Sequence, residues 1–312
     1  MKSFLKSEYA GVWLAGIAAL GFAMKAIFVK MAYPYGVSAP TLLALRMLFS
    51  LPVFAWVAIA HSRAASSLTR FDVGMLVMLG VLGYYGTSIL DFIGLQYISA
   101  GLERLILFIY PTLTVLIGVF FMGRAWSSRE GWAMALSYGG IALAVAHDLH
   151  FAASWHRVLI GASFVFVSAV CFAIYLCGSG RMIKRLGSMR FTGLAMLVST
   201  GATLLHFVLS RPLGDIVQPA PVMWLGAAIA LFSTVLPVFM QSMAIQRIGA
   251  SRAALIGSIA PVLTIFLGWL MLGEPITSLQ LFSTVLVLAG VKLASTPPAK
   301  ASEEKSLQLR AA

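Results

Sequence analysis

Apolar runs of about 20 residues, long enough to cross a bilayer as a helix, recur along the whole chain. This narrows the fold more than any other feature. Backbone placed in hydrocarbon must satisfy its own N–H and C=O groups, and a helix does so within one segment. Ten spans are expected, at 9–29, 38–60, 72–96, 102–122, 129–146, 157–177, 190–210, 222–245, 253–272 and 279–294. The predicted class is therefore an all-α membrane protein. Only 10% of residues are charged, against about 25% in soluble domains. The net charge of +12 would fit a nucleic-acid partner, but its distribution fits membrane orientation instead. Lys2 and Lys6 before an apolar run imitate a signal peptide. The run is too long for that, and it mirrors an internal helix. Cys171 and Cys177, six apart in one run, point to opposite helix faces and fit packing rather than a disulfide or a metal.

The chain also writes one stretch twice. Residues 98–144 align with 248–294 at a constant offset of 150, without gaps, and 15 of 47 positions are identical. Pro111 matches Pro261, Thr114 matches Thr264, Gly118 matches Gly268, Gly123 matches Gly273 and Gly140 matches Gly290. Upstream, Gln96 matches Gln246 and Gly11 matches Gly161. Internal repeats in an apolar chain are a feature of transporters. The expected units are a first repeat at 1–146, a second at 157–294, and a polar, disordered tail at 295–312.

Lys and Arg outside the spans set the orientation. One set of connections carries Lys2, Lys6, Arg63, Arg70, Arg124, Arg181, Lys184, Arg185, Arg247, Arg252, Lys300, Lys305 and Arg310; the other carries Lys30 and Arg211. Both termini are therefore expected in the cytoplasm. Five spans per repeat is an odd number, so the repeats would have inverted topology (5+5) about an axis in the membrane plane.

The repeat ending Pro261, Gly268, Gly273-Glu274-Pro275 and Gly290 resembles the EamA family of the drug/metabolite transporter superfamily. The resemblance covers essentially the whole chain as two copies. The first copy departs from it by placing Arg124 where the family usually has Glu. Membership implies ten helices, cytoplasmic termini and movement of small metabolites across the bacterial inner membrane, often outward.

An ionisable residue inside a span costs about 3 kcal/mol on insertion scales, which makes Lys25, Arg46, Asp91, Glu103 and Arg104 the residues to weigh. Their mates at offset 150, Tyr175, Met196, Gln241, Ala253 and Ala254, are all uncharged. The outer half is accordingly expected to close with an ion-pair cluster, Asp91 pairing with Lys25 or Arg46, and the inner half by neutral packing. Glu103 and Arg104 read as a solvated rim. Tyr84, Thr87, Ser88 and Asp91 share one face of the third span; Ser233, Thr234, Pro237 and Gln241 share one face of the eighth. Ser199, Thr203 and His206 add a third stripe. Such stripes turn inward in lipid. The candidate substrate-binding or gating residues are Lys25, Arg46, Tyr84, Asp91, Glu103, Tyr110, Tyr175 and Gln241. Pro111, Pro237 and Pro261 are candidate hinges, since each removes an internal hydrogen bond. His147, Asp148, His150 and His156 read as a wet interfacial loop rather than a metal site.

The function expected is secondary transport by alternating access. The substrate class is a small polar or amphipathic metabolite, amino acids or related compounds first, with export as the direction. Coupling to protons and uncoupled facilitated diffusion both fit. An organic-cation exporter is the alternative within transporters, although the deep charge of the first span is Lys25, not an acid. A receptor or scaffold without flux is the alternative of another class. No H-E-x-x-H, G-x-S-x-G or ATP-binding motif is present, so neither an enzyme nor a cofactor is expected. The partners expected are a small-molecule substrate and the lipid bilayer, with the protein a monomer or homodimer.

Overall fold

The computed structural model describes residues 8–62, 67–122, 127–151 and 154–295. The tail after Ser295, Arg124 and the other cations at 2–6 and 63 used above to set the orientation lie outside the described residues. The described residues form helices and their connections: α1 (Glu8–Ala32), α2 (Ala39–Ala60), α3 (Arg70–Leu79), α4 (Thr87–Gly94), α5 (Ala100–Leu107), α6 (Tyr110–Met122), α7 (Ser128–Phe151), α8 (Trp155–Leu186), α9 (Ser188–Ser210), α10 (Ala220–Ala230), α11 (Leu236–Gly257), α12 (Ala260–Leu267) and α13 (Ser278–Ser295). Among them, seven runs are long and apolar enough to cross a membrane, from Tyr9–Tyr35 to Ala220–Ile245; Ala260–Leu272 and Ser278–Leu293 are shorter apolar helices.

Several starts are written locally. The Ser38 hydroxyl accepts from Thr41 N at 3.3 Å ahead of a first-turn proline in α2. Thr69 and Asp72 close a capping box on α3. The Ser99 hydroxyl accepts from Leu102 N at 3.0 Å and starts α5.

Three π-helical stretches, Gly80–Gly86, Leu231–Val235 and Gly268–Leu272, join α3 to α4, α10 to α11, and follow α12. The first two fall at the repeat offset. So do the breaks after α5 and α11, at 108–109 and 258–259, each just ahead of its proline, Pro111 or Pro261. The duplication is thus written in backbone irregularities as well as in residues. Proline removes the N–H that would continue the ladder, which explains where the helices break.

Two connections depart from expectation. Residues 178–186 extend α8 rather than forming a loop, because nothing stops the helix before Gly187, at φ +81°. Residues 246–252, expected as a connection, are helical within α11. The chain between Pro237 and Thr264 still doubles back. A Cβ on Gly21 would lie 2.4 Å from Pro237 Cγ, and Thr264 Oγ1 lies 3.4 Å from the carbonyl oxygen of nearby Ala23. The two contacts meet one turn of α1 from positions 27 residues apart, which a straight helix of about 1.5 Å rise per residue would separate widely.

The bundle has two distinguishable ends. At the near end, where α1 begins, Gly11 meets Ile248 and Arg185 pairs with Asp72 at 2.8 Å. At the far end, the Tyr33–Tyr35 turn, the 95–99 connection, the end of α7 and the 274–280 segment enclose a recess of about 660 Å³. Trp13, Trp56, Trp132, Trp155 and Trp224 are exposed. Exposed indoles of this kind are normal on a protein whose outer surface meets lipid and its interfaces.

Candidate functional site

A cavity of about 430 Å³ occupies the middle of the bundle, with walls from both sequence repeats. Lys25, Arg46, Tyr84, Thr87, Ser88 and Tyr110 line it from the first; Met196, Ser233, Thr234 and Gln241 line it from the second. No residue of the far-end connections takes part. The lining instead reaches toward Gln241 and Gly257, on the near-end side.

The π-helical stretches shape this wall. Each inserts an extra residue per turn and frees a carbonyl: Thr87 Oγ1 donates to Leu82 O at 3.2 Å and Thr234 Oγ1 to Ile229 O at 3.0 Å. Thr234 is thereby oriented to accept from Arg46 Nε at 2.9 Å, and Ser88 Oγ accepts from Arg46 Nη1 at 3.0 Å. The guanidinium carbon sits 5.7 Å from the centre of the Phe92 ring. Arg46 is therefore held from α2 by one side chain of each repeat.

The expected ion-pair cluster is present, and its partner choice is resolved. Lys25 Nζ lies 2.6 Å from Asp91 Oδ2 and 3.4 Å from Glu103 Oε1. No ion pair joins Arg46 to Asp91 among the described residues. The expectation of a solvated rim at Glu103 and Arg104 is corrected: both are buried. Ser99 starts α5 at the far-end recess, but the first turn from Ala100 to Glu103 is buried, and α5 packs against α8, α12 and α1. Arg104 Nε lies 3.8 Å from Glu103 Oε2, and its Nη2 donates to the Phe22 carbonyl.

Tyr175 does not itself line the cavity. Its hydroxyl donates to Tyr84 Oη at 2.9 Å, and its ring packs on Phe172 and Phe191. Gly83 is required here, since any Cβ would lie 2.2 Å from the Tyr175 ring. Tyr110 meets Phe172 edge-on at 4.9 Å. Pro237 opens the first turn of α11 against Gly21. His206 lies against Tyr85. The wet loop expected around His147, Asp148, His150 and His156 is corrected for its first two residues, while His150 and His156 are exposed and residues 152–153 lie outside the described residues. His147 and Asp148 are buried in the last turns of α7, because Asp148 accepts from Ser99 N and Ser99 Oγ, each at 2.9 Å. No grouping of His, Cys, Asp or Glu among the described residues has the arrangement of a metal site.

One element was missed. Glu274 spans the far end: Oε1 lies 3.0 Å from Lys30 Nζ, and both its oxygens accept from Ala100 N, at 2.9 and 3.1 Å. Lys30 Nζ also donates to Ile98 O at 2.8 Å. The signal was in hand, since Glu274 follows Gly273 at a helix end and Lys30 is one of two cations on its side. The partner is 174 positions away.

An all-helical bundle with an apolar exterior and a buried, charged central cavity defines a polytopic membrane protein built around a polar interior. Residues 9–146 and 159–296 each match the EamA-like transporter family, and the chain belongs to that family: it is a multi-pass membrane transporter. It is 30% identical over 290 residues to the uncharacterized transporter YcbK of Bacillus subtilis (strain 168), covering 89% of this chain and 90% of that one. It is 24% identical over 240 residues to an S-adenosylmethionine/S-adenosylhomocysteine transporter of Chlamydia trachomatis serovar L2, covering 74% and 73%. A solved crystal structure 18% identical in sequence superposes with a TM-score of 0.63 over 93% of this chain and 96% of the other, which is a likeness of fold.

Proposed function

We propose that the chain is a ten-span secondary transporter of two inverted five-helix repeats, 1–146 and 157–294, that exports a small organic metabolite across the bacterial inner membrane by alternating access. The observation that carries this reading is the central cavity. Both repeats wall it, and its volume lies within the range of about 300–1,000 Å³ usual for small-molecule sites. The far-end connections are tied above it by Glu274, Lys30 and Asp148. With both termini cytoplasmic, the structure corresponds to the inward-facing member of the cycle. Pro111, Pro237 and Pro261 sit beside helix breaks or a π-helical joint, where a change of backbone angle disturbs fewest hydrogen bonds.

Amino acids and related compounds lead the substrate classes. The name of the Chlamydia relative, a carrier of an amino-acid-derived pair, supports that choice. Organic cations are disfavoured because no carboxylate among the described residues lines the cavity. The test is uptake by proteoliposomes from a mixed metabolite pool, read by mass spectrometry against empty liposomes. Time-dependent accumulation of a subset of compounds is expected. Equal content in both kinds of liposome would leave a receptor or scaffold role as the better account. Imposing a pH gradient separates proton coupling from facilitated diffusion.

A further inference from the structure

We infer that Arg46 is the specificity-determining residue of the cavity and that it takes the carboxylate of a mono-anionic or zwitterionic substrate. The inference rests on the transport reading above and narrows its substrate. It starts from a charge count. Three cationic side chains, Lys25, Arg46 and Arg104, stand at the centre of the bundle, against the carboxylates of Asp91 and Glu103. The region carries an excess positive charge, and a buried excess charge is unfavourable until something of opposite sign meets it.

The geometry says which cation is free to meet it. Lys25 is spent, its ammonium shared between two carboxylates. Arg104 faces Glu103 and the Phe22 carbonyl. Arg46 alone of the three has only neutral partners, the hydroxyls of Thr234 and Ser88, and these engage Nε and Nη1. They fix the plane of the guanidinium and leave Nη2, with its two N–H groups, without a protein partner among the described residues. With Nε and Nη1 each engaged by a hydroxyl, Nη2 keeps one N–H beside each of them, and a nitrogen held in that plane fits one end of a carboxylate. The apolar remainder of the ligand would meet Tyr110, Phe172 and Met196, which line the same cavity. The two hydroxyls come from opposite repeats, so a carboxylate seated on Arg46 contacts the point where the halves meet.

The test pairs carboxylates with the primary amides that lack that charge. Proteoliposomes are offered phenylalanine, methionine, 3-phenylpropionate and the primary amide of each, and uptake is read by mass spectrometry. Wild type is expected to favour each acid over its amide by about tenfold or more, the usual worth of a charge-assisted hydrogen bond. Arg46→Gln should erase that preference by losing the acids while keeping the amides, and Arg46→Lys should restore part of it. If wild type takes amides as readily as acids, the inference is overturned even though transport stands, and this arm does not depend on any variant folding. Retention of acid preference by Arg46→Gln would overturn it equally. If no compound of any class accumulates, from this set or from the mixed pool, the transport reading itself fails, and this inference fails with it.

Discussion

The two ends of the bundle are held together by different physics. From its middle to its far end the protein uses charge: Lys25 between Asp91 and Glu103, Glu274 between Lys30 and the Ala100 amide, Asp148 on Ser99. At the near end α1 meets α11 through glycine, alanine and isoleucine, with Gly11 against Ile248 and Ala15 packed with Ala244 and Ala253. Charged contacts are directional and fail when one partner leaves. Small-residue contacts depend on shape and fail when volume is added. A carrier must open one end while the other stays shut. Building the ends by unlike means lets each be tuned without the other, and the uncharged repeat-mates of the five central charges show that the asymmetry arose after the duplication.

The largest effect is expected at Lys25. Lys25→Met leaves two buried carboxylates without their shared cation, and breaking a buried pair from one side costs about 3–5 kcal/mol. Thermal or denaturant unfolding in detergent should show that loss. Adding Asp91→Asn to the same chain should recover much of it, since the second change removes the stranded charge. A single variant as stable as wild type would mean that charge does not hold this half together.

At the near end the matching perturbation is volume. A Cβ on Gly11 would lie 2.5 Å from Ile248 Cγ2 and 3.0 Å from Arg247 Cβ, so Gly11→Val must push α1 off α11. Overpacking of this kind costs about 1–3 kcal/mol. Gly16, on the same helix, has nothing within 4 Å of its Cβ position, and Gly16→Val should be close to neutral beyond the change in helix propensity. Equal melting points for the two variants would contradict a near end held together by packing.

How much of this was legible beforehand follows from range. The apolar runs are a local property, and helices lie where they predict them. The offset of 150 gave the equivalence of Pro111 and Pro261, and the breaks in the chain fall where those prolines lie. Lys25, Asp91 and Arg46 stood out because hydrocarbon makes ionisable side chains conspicuous. Glu103 was misread because its closeness to a helix end suggested water, whereas the whole first turn of α5 is buried by its neighbours. Asp148 was misread because its span was ended at 146, whereas α7 runs on to Phe151 and Asp148 is buried against Ser99. Glu274 was quoted as a family mark yet given no partner, and neither Lys30 nor the Ala100 amide is near it in sequence. Depth is read from the sequence along one helix at a time; it does not say which helix ends fold over others.

A smaller effect belongs to Ser99, which caps α5 and is itself gripped by Asp148. Ser99→Ala removes the acceptor for Leu102 N and should cost about 1 kcal/mol, as cap removals usually do. Ser99→Thr keeps the hydroxyl and should sit near wild type. Since the cap fixes the first turn that carries Glu103, Ser99→Ala should also weaken the benefit of restoring Lys25. Strict additivity of Ser99→Ala and Lys25→Met would separate the cap from the cluster.

The smallest change in stability, and the sharpest on mechanism, is expected at Glu274. Its carboxylate and Lys30 are both partly exposed, with side-chain accessibilities of 15% and 25%, so the pair contributes only about 0–1 kcal/mol. Glu274→Gln keeps an oxygen for the Ala100 amide and loses the charge facing Lys30, which still has the Ile98 carbonyl. The melting point should barely move. Access should move instead. In a background with Cys171 and Cys177 replaced, a cysteine introduced as Thr87→Cys lies in the cavity wall and should react with a membrane-impermeant maleimide from the near-end side. With Glu274→Gln added, labelling from the far-end side should rise, because a weakened latch populates the other open state without changing the fold. Unchanged labelling from both sides would mean that the far end is held shut by the buried cluster around Lys25 and not by the exposed pair above it.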